Sequence, residues 1–543
     1  MESAWDRAAC WGESGGMGKG GRRREATAGA CGVPPRAAGA VVAASHLALR
    51  PSAPLIRRHD VPTLSHVPPE GRVSALVRLF LAAGLCLVVA CGGGDERTAT
   101  TRERRPNILF ILLDDVRFDD LVGHPFVQLP HVAQLMAQGA SFERFYTSAP
   151  LCSPSRAVFL TGQYPHRNGI TDNAERAEQS HRIVTFPRLL HDAGYRTGFF
   201  GKWHMGHQDD SPRPGFDRWV SFVGQGVYVD PVLNVDGQEV SATGYITDIL
   251  TAQAIDFIGT VPDEQPFLAF IAHKASHPEV HPGQVRTFPP APGDESLYVH
   301  AEIPHGPSWR APLTGKPALA RPVDHTDPRS PAGGLPDSVV RDRLRMLSAV
   351  DRGLGRLVAA LEARGVLDET IVVLTSDQGF FYGEFGLAQE RRLAYEPSVR
   401  IPLLVRYPSL VKAGTRPAQL ASNVDIAPTL LELAGVPIPA TMDGRSLVRA
   451  VGAAPAPVRD DLLIEYYSDT EFPRLERMGY KAIRTERYKY IRYEELSGMD
   501  ELYDLVADPH ELTNLLPKGA PAGVLEELNA RLDRALRGEG GGR

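Results

Sequence analysis

Residues 108–115 read ILFILLDD, an unbroken apolar run closed by the adjacent carboxylates Asp114 and Asp115. A run this short and this apolar suits a strand buried on both faces, because a half-exposed strand would alternate with polar residues. Four further runs share its character: RTGFF (196–200), FLAFIA (Phe267–Ala272), TIVVLT (370–375) and PLLVRY (402–407). Polar chemistry follows three of these at once: Lys202 and His204 after RTGFF, the segment HKASH (273–277) after FLAFIA, and Asp377 and Gln378 after TIVVLT. Helical patterns separate the runs, so the reading is an α/β fold, a large, mostly parallel sheet wrapped by helices. In open sheets of this kind ligands gather at the carboxyl ends of the strands. One edge is therefore expected to collect carboxylates, histidines and lysines.

Outside those strands, RLRMLSAVDRGLGRLVAALEARG (343–365) carries apolar residues at helical spacing and a terminal glycine, which predicts a packed helix just before the TIVVLT strand. The stretch from His277 to Ser338 is dense in Pro and Gly and too long for a simple connection; it is expected to be a functional cover or a mobile insertion. From about residue 460 the chain changes character. The Tyr-rich YKAIRTERYKYIRY (480–493) suggests antiparallel strands, and a last helix is predicted over Val524–Leu536. The expected division is a catalytic domain over 106–455 and a smaller C-terminal subdomain, with an antiparallel sheet, over 456–543.

The chain has 543 residues, 43% hydrophobic and 23% charged, enough to bury a large core. Its net charge of −6 gives no global basic field and speaks against nucleic acid as a partner. Residues 1–72 are a patchwork of Gly, Ala, Arg and Pro without periodicity and are expected to be disordered. ALVRLFLAAGLCLVVAC (75–91) is short for a membrane span and suits the core of a secretory signal. It ends in small residues before Cys91, then Gly92 to Gly94, and so resembles a bacterial lipoprotein cleavage box, with Cys91 as the lipidated first residue and 92–105 as linker. An ordinary signal peptide or an uncleaved anchor is the alternative. Because targeting machinery reads the emerging N-terminus, translation is expected to start nearer Val73. The expected location is exported, periplasmic or at the cell surface, with membrane contact only through the lipid.

Cys10, Cys31 and Cys86 then fall in the removed part, and the mature chain keeps Cys91 and Cys152, so no structural disulfide remains. An unpaired thiol in an exported protein is a redox liability, and Cys152 needs a chemical reason to exist. It opens CSPSRAVFLTG (152–162), where Pro154 suits the first turn of a helix and places Cys152 at a helix N-terminus, a position that favours anions.

That string resembles the Cys-x-Pro-Ser-Arg signature of the sulfatase family, matching at Cys152, Pro154, Ser155, Arg156, Thr161 and Gly162. Asp114 and Asp115, GYRTGFFGKWHMG (194–206), TSDQG (375–379) and ELYDLVADPHELTNL (501–515) resemble further family blocks in order, so the likeness runs from Asn107 to Leu515. It implies the alkaline-phosphatase-like sandwich, and conversion of Cys152 before folding to Cα-formylglycine by a maturation enzyme. It also implies that Arg156 holds the aldehyde hydrate, His204 assists its hydroxyl, Lys202 neutralises sulfate, and His277 binds sulfate or protonates the leaving oxygen. Arg391, in ERRLAYE (390–396), stands where relatives carry a sulfate-binding lysine; a solvated arginine is the plain alternative. His207 and Lys274 are candidate substrate contacts.

A metal site needs hard oxygen ligands, which Asp114, Asp115, Asp377 and the Gln378 carbonyl supply, with the converted Cys152 side chain beside them. Calcium fits best and magnesium second; for either adjacent aspartate alone, capping a helix is the plain alternative. Segments 377–387 and 206–228 resemble the sulfatases acting on N-acetylglucosamine 6-sulfate and on mucin or glycosaminoglycan sugars. The expected function is an exo-acting glycan sulfatase. The alternatives are an arylsulfatase, a phosphatase or phosphonate monoester hydrolase on the same scaffold, and a non-catalytic glycan-binding lipoprotein.

Overall fold

The computed structural model describes residues 105–539, apart from 175, 281–285, 323–332 and 453–454. The expectations for the N-terminal extension, the signal segment, Cys91 and nearly all of the linker lie outside the described residues. Among the described residues no helix is long and apolar enough to cross a membrane.

All five apolar runs are strands: β1 (Asn107–Leu113), β2 (Arg196–Gly201), β3 (Phe267–Ala272), β4 (Thr370–Ser376) and β5 (Leu403–Arg406). They lie in the order β5-β4-β1-β3-β2 at the heart of a nine-stranded sheet. Strand β1 pairs in parallel with both β3 and β4, and β2 pairs in parallel with β3, while β5 runs antiparallel to β4. The sheet is therefore mixed but mostly parallel at its centre.

The period of two along β1 explains its composition. Leu109, Ile111 and Leu113 enter one apolar cluster with Leu250 and Phe257 of the Ile246–Thr260 helix and Leu344, Leu347 and Leu354 of the Asp337–Ala363 helix. Ile108, Phe110 and Leu112 enter a second cluster on the opposite face, with Phe159, Phe186 and Leu430. With helices on both faces every position from Ile108 to Leu113 is apolar, and each buried side chain contributes about 1.5–3 kcal/mol. The Asp337–Ala363 helix starts six residues before the first residue of the predicted one, after Pro336, and stops where Gly365 takes φ 68°.

Four short strands of this sheet escaped the sequence reading: Ala140–Ser141 at one edge, and Arg218–Ser221, Val232–Val235 and Gln238–Ser241 at the other. The last two form an exposed hairpin closed by Asp236 and Gly237, both at positive φ, the turn that an Asp-Gly pair favours. The Asp-Gly was legible, but the flanking residues lack the apolar alternation of a half-buried strand.

The C-terminal region forms a separate antiparallel sheet of Asp461–Tyr466, Tyr480–Thr485, Tyr488–Tyr493 and Glu501–Asp504, in that order. Leu528 and Leu532 of the Val524–Leu536 helix pack on its Leu463, Ile483, Tyr490 and Leu502, in a cluster shared with Val158 and Tyr164. The Pro- and Gly-rich stretch after His277 has no helix or strand among its described residues, yet Phe288, Ala291 and Ile303 are buried in the β1 cluster. Its described parts are thus packed onto the core.

At the carboxyl end of β2, Gly201 holds φ 126°, and a Cβ there would be driven into the Ala272 carbonyl of β3. That carbonyl also accepts the amide N–H of Lys202 at 2.9 Å. Gly201→Ala is expected to cost well over 1 kcal/mol, because both the dihedral and the space are wrong for a side chain, and a thermal melt at or above the wild-type midpoint would contradict this reading.

Candidate active site

The carboxyl ends of β1, β2, β3 and β4 converge on one edge of the sheet, and each delivers buried polar groups: Asp114 and Asp115, Lys202 and His204, Lys274 and His277, Asp377 and Gln378. A fifth contribution comes from the helix Cys152–Thr161, whose first residue is Cys152. Asp115 and His204 sit at φ 62° and 66°, a region that residues with a side chain enter infrequently, and contacts within the site hold both there. The Asp115 amide donates to Asp377 Oδ1 at 3.0 Å, and the His204 carbonyl accepts the Ser153 hydroxyl at 2.6 Å.

Arg156 follows Cys152 by one helical turn and so lies on the same face. Its Nε and Nη2 donate to Asp377 Oδ2 at 3.0 and 2.8 Å, Nη1 donates to the Lys202 carbonyl at 2.7 Å, and Nη2 lies 3.2 Å from Asp114 Oδ2. Lys202 Nζ closes on the same Asp114 oxygen. On the far side, Arg391 Nε stands 3.0 Å from Asp115 Oδ1. Three carboxylates thus face three buried cations, and Cys152 Sγ lies among them, 3.8 Å from Asp114 Oδ1 and 3.2 Å from Gln378 Nε2.

Burial pushes the carboxyls of Asp115 and Asp377 up, the latter to about 7, and the neighbouring Asp114 charge adds to both. Burial also opposes the charge on Asp114, but Lys202 and Arg156 outweigh it and hold that carboxyl below its ordinary range. Burial raises the Cys152 thiol.

The three cations match the aspartates in number, yet burial leaves the Asp115 and Asp377 carboxyls raised, so a further positive charge beside them would be favourable. Asp114, Asp115 and Asp377 each offer an oxygen, all within 4.8 Å of one another, and Asp115 Oδ2 and Gln378 Oε1 are buried acceptors without a hydrogen-bond partner. Hard, unsatisfied oxygens converging from two strand ends fit a divalent cation such as calcium or magnesium, which would reverse the upward carboxyl shifts.

The two histidines are oriented by their neighbours. Because the Ser153 hydroxyl donates to the His204 carbonyl, it is free to accept from His204 Nδ1 at 3.2 Å, which leaves Nε2 to accept from the Gln225 amide at 2.9 Å. His204, expected to assist the hydroxyl on residue 152, therefore reaches the helix N-terminus through the next residue, Ser153. His277 Nδ1 donates to the Pro278 carbonyl at 2.7 Å, and Nε2, facing inward, accepts from Arg391 Nη2 at 2.9 Å and lies 3.9 Å from Asp115 Oδ2. Burial first, then the Lys202 charge, hold both imidazoles far below their ordinary value.

Arg391 is buried and touches two site residues, so it is not a solvated surface charge. His207 is exposed, its ring 6.1 Å from that of His204. Lys274 is fully buried. The reading missed Ser153, Gln225 and Arg343. Arg343 donates to the carbonyls of Asp115 and Ser276 from a fully buried position on the long helix, pinning two of the strand-end loops. Its signal was visible as a charged residue at the helical spacing of Met346, Leu347 and Val350.

This fold and this cluster define a hydrolase of oxoacid esters, with an anion pocket at the carboxyl edge of an α/β sheet. The Sulfatase family model matches residues 106–436, and the model of the N-sulphoglucosamine sulphohydrolase C-terminal region matches residues 383–537. The chain belongs to the sulfatase family, whose members are sulfuric ester hydrolases that generally use formylglycine and a divalent metal. It is 32% identical over 501 residues to the N-acetylglucosamine-6-O-sulfatase of Bacteroides thetaiotaomicron, covering 80% of this chain and 87% of that one. A solved sulfatase in complex with its substrate D-glucosamine-2-N,6-O-disulfate superposes with a TM-score of 0.71 at 30% identity, over 80% of this chain and 98% of the other. The phosphonate monoester hydrolase of Agrobacterium radiobacter shares the fold, with a TM-score of 0.61 at 22% identity over 80% and 96% of the two chains.

Calorimetric titration of chelator-stripped protein with calcium should show one site. Asp115→Asn and Gln378→Ala should each weaken it on the order of tenfold or more, since affinity follows ligand charge and number. Unchanged affinity in both variants would remove these residues from the site.

Proposed function

We propose that this chain is an exported glycan sulfatase that removes the 6-sulfate of an N-acetylglucosamine-type sugar, with Cys152 as the residue converted to formylglycine and calcium as the bound cation. The observation that carries the chemistry is the position of Cys152, first in its helix and enclosed by Asp114, Gln378 and the charges of Lys202 and Arg391. The likeness to an N-acetylglucosamine-6-O-sulfatase and to a structure holding a glucosamine disulfate supports the sugar. The signal-like segment before Cys91 supports export as a lipoprotein, and the enclosed cysteine supports a maturation enzyme that acts on the chain before it folds.

Residue 152, once converted and hydrated, would supply two hydroxyls, one to attack sulfur and one to collapse and release sulfate, a second step closed to serine. A divalent cation held by Asp114, Asp115, Asp377 and the Gln378 amide oxygen would supply positive charge against the sulfuryl oxygens. Arg156, Lys202 and Arg391 match the three aspartates in number, so with a divalent cation bound the site would carry net positive charge and would favour a sulfate monoester. Lys202 neutralises a sulfuryl oxygen, and Arg391 offers a planar, bidentate surface for another. Arg156, bound to Asp377 and the Lys202 carbonyl, fixes the helix N-terminus against the strand ends. His277 turns Nε2 inward; with a sulfate ester bound and Arg391 turned to its oxygens, that nitrogen would take up a proton from solvent, Nδ1 keeping its own on the Pro278 carbonyl, and pass it to the departing sugar alkoxide. The donors are fully buried, where each counts for more than it would in water.

Cys152→Ala should abolish turnover of N-acetylglucosamine 6-sulfate with the melting midpoint retained; residual turnover would point to another nucleophile. The tryptic peptide holding residue 152 of active protein should carry the aldehyde mass. Lys202→Ala should cost on the order of a hundredfold in turnover, the usual loss for one transition-state donor. Purified enzyme should favour 4-nitrophenyl sulfate over 4-nitrophenyl phosphate, and the reverse preference would move the assignment to phosphoryl chemistry.

A further inference from the structure

Lys274 lies three residues before His277, at the end of β3, and no step described so far uses it. Its side chain is fully buried. Its Nζ donates to the Pro278 carbonyl at 3.2 Å, the same oxygen that receives the His277 Nδ1 proton at 2.7 Å, and lies 4.7 Å from the centroid of the Tyr228 ring. The Tyr228 hydroxyl in turn donates to the His277 carbonyl at 2.5 Å and the Lys274 carbonyl at 3.0 Å. An ammonium or an amine in such a place is costly to bury. Burial first, then the nearby Lys202, push it down to about 7, and either protonation state still donates to the carbonyl.

We propose that Lys274 is a positioning residue for the leaving-group side of the reaction: it pins the Pro278 carbonyl while Tyr228 holds the Lys274 and His277 carbonyls, and together they fix His277 with Nε2 turned to the departing oxygen. The inference rests on the acid role given to His277 above. A carbonyl with two lone pairs accepts from both side chains at once, so one donor holds the oxygen still while the other is oriented by it. Tyr228 clamps the backbone at both ends of the same tetrapeptide. Lys274 makes no described hydrogen bond to the candidate cation ligands or Cys152; beyond its charge interactions with Lys202, Asp114 and Asp115, its hydrogen-bonded link to the reacting side chains is through the Pro278 carbonyl to His277.

Two esters separate this role from a structural one. A sugar alkoxide needs a proton to leave, whereas 4-nitrophenolate hardly does. Lys274→Met keeps the length of the side chain and removes the donor. Its kcat on N-acetylglucosamine 6-sulfate should fall about tenfold or more with KM within about twofold, while the loss on 4-nitrophenyl sulfate is at least about tenfold smaller. Tyr228→Phe keeps the ring beneath Nζ, should show the same selectivity, and carries the test if the methionine variant does not fold. Equal losses on both esters, or no loss on either, would overturn the proposal. His277→Ala is the control for the reading beneath it. If His277→Ala is selective and the Lys274 and Tyr228 variants are not, only the Lys274 role falls. If His277→Ala itself loses both esters equally, the acid role of His277 falls and takes this inference with it.

Discussion

Three carboxylates gathered within 4.8 Å of one another, away from water, repel, and much of the surrounding architecture answers that repulsion. At an effective protein dielectric, two like charges about 4 Å apart oppose each other by roughly 4 kcal/mol. The chain meets this with Arg156 and Lys202 on Asp114, Arg156 on Asp377, and Arg391 on Asp115. Each cation arrives from a different part of the sequence, and each is itself buried, so none is stable there without its acid. The cluster is thus held as a unit, and side chains 277 residues apart in the chain (114 to 391) are committed to one point.

The fold supplies the stiffness that such a commitment needs. β1 lies between two parallel neighbours and is packed on both faces, so Asp114 and Asp115 leave a strand with little freedom to move. The Cys152–Thr161 helix is docked by a second, neutral network. Ser155 Oγ donates to the Asp377 carbonyl at 2.5 Å, lies 3.0 Å from Thr147 Oγ1 and receives Asn423 Nδ2 at 3.1 Å. Arg343 performs a similar task from the long helix, holding the Asp115 and Ser276 carbonyls. Charged groups set the field of the site, and neutral hydrogen bonds fix its coordinates.

Much of this was legible before any coordinates, for a physical reason. Strands buried on both faces must be apolar throughout, and the polar residues that end them must then find partners at the sheet edge, so ILFILLDD announces both a strand and a site. The unpaired Cys152 and the Pro154 that follows it marked the helix N-terminus. What the linear pattern hid were roles set by distant neighbours. Arg391 resembled a solvated charge because nothing local shows Asp115 beside it. Gln225 carried no signal, since its relation to His204 depends on a loop from the far side of β2. The exposed hairpin after residue 231 lacked the apolar alternation that a half-buried strand displays.

One feature of the site reaches back to the birth of the protein. Cys152 has no solvent exposure and sits behind the Asp114 and Gln378 side chains, at the root of a helix bound to the sheet. A second protein cannot grasp that sulfur without undoing the ion cluster around it. Under the proposed conversion of Cys152, oxidation of the thiol would compete with folding, and the competition would be run once. A chain that collapsed first would then be a stable, well-packed molecule carrying sulfur where the proposed mechanism uses an aldehyde, and its own stability would keep it from being rescued. In a foreign host the yield of working enzyme would then follow the speed of the modifying catalyst relative to collapse, and total soluble protein would say little about it.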